Sequence, residues 1–338
     1  MFGFNGFGCS GMTLSSADGK HFWARNYDFP SAEGSTVTLV PRGFDIPLMQ
    51  DPACEDRLTS RYACLGMGAV GQSAAPVLYD GVNERGLCGG TLFYPGFATY
   101  DTNPSATSVN PAFAVTLVLA TCADLDEAVA FFTGHNLSSE QVVPGYEMPM
   151  HFFLSDRSGE AVVIEPDAGG LSVHRDTIGV LANAPDYDWH VKNLRNYLTL
   201  TPDQPKPAKV LGLDLAPYGV GAGSLGLPGD FTPPSRFVRL AYVKANLPEP
   251  ADEVQAVTYL FGALGSVAMP EGFVRNESGV GEKTLYTSAM CAESLTYYTS
   301  PFSNRRITAY RLGDMVDATE LRTFSLPLEQ DIDFVDVR

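Results

Sequence analysis

The chain has 338 residues, 45% of them hydrophobic and 18% charged, with a formal net charge of −17. That length supports a large packed core, while the acidic balance works against nucleic acid and anionic membrane surfaces, whose phosphates need clustered Lys and Arg. No uncharged apolar run reaches the roughly 18 residues of a membrane span. The N-terminus lacks a basic n-region and a long h-region, so a soluble, cytoplasmic protein is expected.

In chain order, the first informative residue is Cys9, which follows the octapeptide Met1 to Gly8. A cysteine made N-terminal by loss of that octapeptide carries a thiol and a free α-amine. The amine's ordinary pKa of about 7.7 to 8.0 lets it take the thiol proton near neutrality. On position alone the plainer reading is a small buried hydrophobe at the start of a strand. Residues 10 to 28 then read as a β-hairpin about Asp18-Gly19, a dipeptide that favours a two-residue type I′ turn. That turn pairs Ala17 with Lys20 and puts Cys9 opposite Asp28. It also sends Arg25 to the other face, so that a shared site needs a bulge or an irregular strand end.

Further strands are predicted at 35–40, 62–66, 151–155, 161–165, 171–174, 179–183, 285–290, 295–299 and 307–312. Helices are predicted at 111–121, 235–246 and 251–266, with another opened by the capping-box pattern Asp124-Leu-Asp-Glu127 and closed by Gly134. Strand runs alternating with paired helices suit an α+β fold, antiparallel sheets covered by helices, better than a doubly wound parallel sheet. Residues 201–234, rich in Pro and Gly, are too long for an ordinary connection and read as a functional or assembly loop.

The six cysteines form no CxxC pair and are expected to be thiols, and the five scattered histidines give no metal pattern. Gly221 to Gly226 matches GxGxxG but follows no strand and opens no helix. A GxSxG elbow and a Walker A sequence are both missing. No cofactor or metal is expected.

Several segments together resemble one family. Cys9, Arg25 in Ala-Arg-Asn-Tyr-Asp, and Asp28 look like the start of the choloylglycine hydrolase and penicillin V acylase family of N-terminal nucleophile amidases. The resemblance continues through Tyr62-Ala-Cys-Leu-Gly-Met-Gly, Asp80-Gly-Val-Asn-Glu-Arg-Gly-Leu87, Gly179-Val-Leu-Ala-Asn183-Ala-Pro-Asp-Tyr-Asp-Trp-His190 and Gly226-Leu-Pro-Gly-Asp-Phe-Thr-Pro-Pro-Ser-Arg236-Phe. Five blocks in order and at the family's spacing are far more specific than any one. The resemblance implies a four-layer αββα sandwich formed as one domain over 9–338, with 1–8 removed as a propeptide. It also implies a homotetramer built through 201–234.

Carried over residue by residue, Cys9 is the nucleophile, Arg25 favours its thiolate, and Asp28 anchors its amine. Asn183 supplies an oxyanion amide and Arg236 is a second site arginine. Without the resemblance, Arg25 and Asp28 would be an ordinary ion pair, Asn183 a turn residue before Pro185, and Arg236 a solvated cation at a helix start. Asn83 reads as a structural turn residue.

Where the family usually has Asn or Tyr, this chain has Phe93 and then Tyr94. Phe93 can offer only its backbone N–H to the oxyanion, whereas Tyr94 in that role would favour a penicillin-type substrate. Trp23, Tyr27, Phe29, Phe93 and Tyr94, with Phe97 and Phe231, are candidates for an apolar substrate wall; plain core is the ordinary fate of aromatic residues. The expected reaction is hydrolysis of glycine- or taurine-conjugated bile salts. The alternatives are the same chemistry on penicillin V or an N-acyl homoserine lactone, and a non-catalytic binding protein with an uncleaved N-terminus.

Overall fold

In the computed structural model the described residues are 8–31, 34–103, 105, 107–142, 148–330 and 332–335. Residues 1–7 of the expected propeptide lie outside them. Two antiparallel sheets are stacked face to face. The first sheet, which carries Cys9, runs in the order Val180–Leu181, Cys9–Ser15, His21–Phe29, Gly281–Cys291, Thr296–Pro301 and Thr308–Arg311. The second runs Gly170–His174, Ala161–Asp167, Met150–Ser155, Cys88–Phe93, Val77–Asn83, Cys64–Ala69, Ser35–Val40 and Arg322–Phe324.

Helices cover the outer faces. Pro233–Asn246 and Glu253–Gly265 pack on the first sheet, and Ala114–Thr121 packs on the second. The last is apolar on every side and correspondingly buried, which fits a helix sunk into a core. Leu125–Gly134 begins where the capping box predicted, with Asp124 accepting from the Glu127 N–H at 3.0 Å. The layers are therefore the expected αββα. Among the described residues no helix is long and apolar enough to cross a membrane.

The hairpin register differs from the expected one. Only Gly19 takes a left-handed backbone, with φ of +80°; Ser16 pairs with Lys20 through its N–H, and the Gly19 N–H closes back onto Ser16. The connection is a three-residue loop ending in a left-handed glycine, because the Asp18 side chain takes the Ser16 hydroxyl instead of a positive-φ backbone position. One extra loop residue shifts every pair, so Cys9 lies opposite Tyr27 and not Asp28. Arg25 consequently shares the face of Cys9, and Asp28 takes the other face.

The Val180–Leu181 strand is shorter than predicted, and Asn183 falls in the irregular segment after it. Asn83 is a structural turn residue: its amide donates to the carbonyls of Leu119 and Cys122 at 2.8 and 2.7 Å, and its Oδ1 accepts the Arg85 and Leu87 N–H groups.

Candidate active site

The site is built around Cys9, at the start of its strand and 4% exposed, with one partner group on each face of the sheet. On the inner face, between the sheets, Arg25 Nη2 lies 2.6 Å from Cys9 Sγ. The guanidinium is held by the carbonyls of Thr91 and Tyr79, at 2.6 and 3.2 Å from Nη1, and by Asp80 at 3.8 Å. Asp80 is in turn fixed by the hydroxyls of Tyr286 and Tyr297 at 2.7 and 2.6 Å. Burial pushes the thiol above its ordinary value, Arg25 opposes that rise, and Asp28 adds to it.

On the outer face lie the groups that meet the main chain of Cys9. Its N–H donates to Asn183 Oδ1 at 2.7 Å, and Arg236 Nη2 donates to the same oxygen at 2.7 Å. Arg236 Nη1 also donates to the Cys9 carbonyl and, at 2.6 Å, to Ser10 Oγ. Two donors on Oδ1 fix the orientation of the Asn183 amide, whose Nδ2 donates to the Phe93 carbonyl at 2.7 Å. Arg236 is buried, at 1% exposure, and so is not a solvated cation at a helix start.

Asp28 reaches the cysteine through the backbone. Its N–H donates to the Gly8 carbonyl at 2.9 Å, and a methyl group placed on Gly8 would sit 3.1 Å from Asp28 Oδ2. Oδ1 accepts from the Thr284 hydroxyl, while Oδ2 accepts no hydrogen bond among the described residues and lies 3.9 Å from Arg236 Nη1. Burial pushes the Asp28 carboxyl up to about 6, against the pull of Arg236, Thr284 and Arg25. Arg25 therefore lies on the thiol side of Cys9, and Asp28 lies on the opposite face beside Gly8.

A cavity of about 540 Å³ opens beside Gly8, Asn183 and Arg236. Phe231 and Phe273 form part of its wall, with ring centroids 5.3 Å apart. Glu282 also lines it. Its Oε1 is buried without a partner among the described residues, and burial followed by the Asp28 charge pushes it up to about 7 against the pull of Arg236.

The model of the family described as linear amide C–N hydrolases, choloylglycine hydrolase family, matches residues 9–324, beginning on Cys9 itself. The chain belongs to this family. As a choloylglycine-family hydrolase it acts on linear amide C–N bonds. It is 34% identical over 317 residues to a bile salt hydrolase/transferase of Bifidobacterium longum, covering 93% of this chain and 98% of that protein. It is also 34% identical over 324 residues to a conjugated bile acid hydrolase of Lactobacillus gasseri, covering 94% and 100%. A mutant conjugated bile acid hydrolase from Clostridium perfringens superposes with a TM-score of 0.89 at 30% identity, over 97% of this chain and 100% of that one. Penicillin V acylase from Agrobacterium tumefaciens shares the fold, with a TM-score of 0.75 at 18% identity over 93% and 90%.

The hydrolase brings Cys9, Arg25, Asp28, Asn183 and Arg236 together, and it separates the expected aromatic wall. Trp23 is wholly buried between the sheets, 5.7 Å from Phe153, and does not border the cavity. Tyr94 is buried too, with its hydroxyl given to Asp167 at 2.8 Å and its ring stacked on His151 at 4.5 Å. Tyr27 and Phe29 stack at 5.6 Å, and Tyr27 also stacks on Tyr79 and Tyr286 at 5.0 and 5.1 Å, on the Arg25 side. Phe93 meets Asn183 through its carbonyl, and Phe97 is partly exposed away from the cavity lining. Of the named aromatics only Phe231 borders the cavity.

Glu282 and Thr284 were not foreseen, nor was Met269, which also lines the cavity. The strand Gly281–Cys291 starts four residues before the predicted 285–290, which left Glu282 and Thr284 outside the reading. A bulge between Thr284 and Tyr286 sets Thr284 opposite Asp28 and Tyr286 opposite Tyr27. The irregularity expected in the hairpin is not found there, since its pairing runs unshifted from Cys9 to Ser15 and leaves Arg25 and Asp28 on opposite faces.

Proposed function

We propose that the protein hydrolyses the amide bond of glycine- or taurine-conjugated bile salts through a Cys9 acyl-enzyme. The observation that carries this reading is the match to relatives named for bile salts over nearly their whole length, in register with a buried thiol facing an arginine. Removal of residues 1–8 by hydrolysis of the Gly8–Cys9 peptide frees the α-amine at a position already facing Asn183 Oδ1 and close to Asp28.

The amine takes the thiol proton, and sulfur adds to the substrate carbonyl carbon. The resulting oxyanion is held by the Asn183 amide and backbone N–H groups. The ammonium then gives its proton to the departing nitrogen as the C–N bond breaks, and water hydrolyses the thioester to the free acid. Arg25 stabilises the thiolate, Asp28 the ammonium, and Arg236 holds the Asn183 carbonyl oxygen so that Nδ2 is presented to substrate. No step requires a metal or a cofactor.

The apolar Phe231–Phe273 wall suits the broad face of a steroid, which contributes about 25 cal/mol per Å² buried. Tyr94, with its hydroxyl engaged, does not favour the penicillin-type alternative. Isolated free thiols accord with a cytoplasmic location. We place a homotetramer, assembled through 201–234, in the same reading.

Hydrolysis rates for glycocholate, taurocholate and penicillin V, measured side by side, test the substrate. Bile salts are expected to be cleaved faster, and a penicillin V kcat/KM more than about tenfold above both would reverse the order. Cys9→Ala should abolish turnover and Cys9→Ser greatly reduce it, because a hydroxyl is the poorer nucleophile for this amine. Full activity in Cys9→Ala would refute the mechanism. A stable Met1 terminus in an active preparation, read by intact mass, would refute the maturation step.

A further inference from the structure

Asn183 occupies an irregular stretch between the Val180–Leu181 strand and the helix Tyr187–Asn193, so its main chain is held by side chains. His151 Nε2 lies 3.0 Å from the Ala182 carbonyl, and His190 Nε2 lies 2.7 Å from the Asn183 carbonyl. Four residues later the Tyr187 N–H donates to both oxygens of Glu165, at 3.1 and 3.0 Å. Glu165, fully buried, also faces His151 Nδ1 at 3.0 Å and His174 Nε2 at 3.3 Å.

Each ring nitrogen of His151 thus faces an acceptor, and the ring links Glu165 to the Ala182 carbonyl. Tyr94 stacks on that ring with planes 6° apart and ties its own hydroxyl to Asp167, which removes the ring's freedom to turn. His190 stacks on Phe237 at 4.6 Å, and burial pushes it down to about 4. It is therefore neutral near pH 7, with its single N–H on Nε2 for the Asn183 carbonyl. Burial pushes the Glu165 carboxyl up, but the hydrogen bonds from His151 and His174 outweigh it and hold it at about 2.

We propose that Glu165, His151 and His190 are positioning residues for amide hydrolysis, gripping the main chain on both sides of Asn183 so that its side-chain amide is aimed at the reacting carbonyl. This rests on the reading of Asn183 as the oxyanion donor. None of the three side chains is hydrogen-bonded to Cys9, Arg25 or Asp28. They act on the reaction only through Asn183, which carries the oxyanion amide on Nδ2 and meets the Cys9 nitrogen through Oδ1. A donor displaced by about 1 Å costs about 10²-fold in rate, so the effect belongs in kcat.

The test compares kcat and KM for glycocholate in mature wild-type enzyme, Asn183→Ala, Glu165→Gln, His190→Phe and His190→Gln. Asn183→Ala should lower kcat by roughly 10²- to 10³-fold. Glu165→Gln and His190→Phe should lower kcat by about tenfold to a hundredfold with KM unchanged. His190→Gln, which keeps an N–H at similar reach, should recover most of the loss, whereas a purely structural role for the ring would leave Phe the better substitute.

Unchanged kcat in Glu165→Gln and His190→Phe beside an impaired Asn183→Ala overturns the proposal alone. A silent Asn183→Ala overturns the oxyanion reading and this proposal with it. If Glu165→Gln does not accumulate as folded enzyme, the His190 pair decides by itself, and equal activity of Phe and Gln there counts against the proposal.

Discussion

Glu282 and Asp28 stand on one face of the first sheet, on neighbouring strands, and both keep their protons to higher pH than a solvated carboxyl does. For Glu282 the cause is burial first and the Asp28 charge second, and together they push it from 4.5 up to about 7. A folded value above the unfolded one means that the native state holds the proton longer. The stability this contributes is complete below about 4.5 and is lost as pH rises through about 7. Glu282→Gln keeps the shape and removes the ionisation. It should therefore melt at a higher temperature than the parent at about pH 8, with the difference closing at about pH 4.5. Thermal melts across that range check it, and a difference independent of pH would show that charge is not the cause. No sequence signal led to Glu282, because its strand begins in Gly-Glu-Lys-Thr, which carries little β propensity.

Two central strands the sequence did not announce are Val77–Asn83 and Cys88–Phe93, each containing glycine where β-branched residues were sought. Their glycines are required by close approach. A Cβ on Gly81 would lie 2.8 Å from the Leu65 carbonyl oxygen across the strand pair, and one on Gly90 would lie 2.8 Å from Trp23 Cη2. Propensity fails here because backbone-to-backbone and indole-to-backbone packing decide the residue type. The same packing explains why Trp23 reads as a pocket residue in the sequence and is core in the fold. It shares a face of the hairpin with Arg25, which lies beside the Cys9 thiol, but sits two residues farther from the strand end and deeper between the sheets. Trp23→Ala should destabilise the protein by about 3–5 kcal/mol, the cost of emptying a large aromatic site, while the KM of the folded fraction stays put. Denaturant unfolding with parallel kinetics tests this. Unchanged stability with a raised KM would return Trp23 to the substrate wall.

At the scale of the whole molecule the 201–234 segment was legible as an excursion, and its tip supplies an argument the composition could not. The strands Ala208–Val210 and Leu213–Leu215 form a ribbon whose turn carries Leu211 at φ +51° and Gly212 at φ +86°. A leucine in the left-handed region is disfavoured relative to Asn or Gly, and this one is 99% exposed on the protomer. Val210, Leu213, Leu215 and Tyr218 beside it are exposed as well, and they form an apolar patch with no cover on the protomer. Burial against other copies in a closed, dihedral tetramer would offset both the strain and the exposure. Light scattering at micromolar concentration should therefore give about four times the 36.3 kDa of the chain, and a protomer mass there would contradict the assembly. Leu211→Asn relaxes the turn and removes the apolar tip. It should leave the protomer folded, with an unchanged or higher melting temperature in dilute solution, yet move the mass toward smaller species. A tetramer that survives Leu211→Asn and Leu213→Asp together would show that the contact lies elsewhere on the surface.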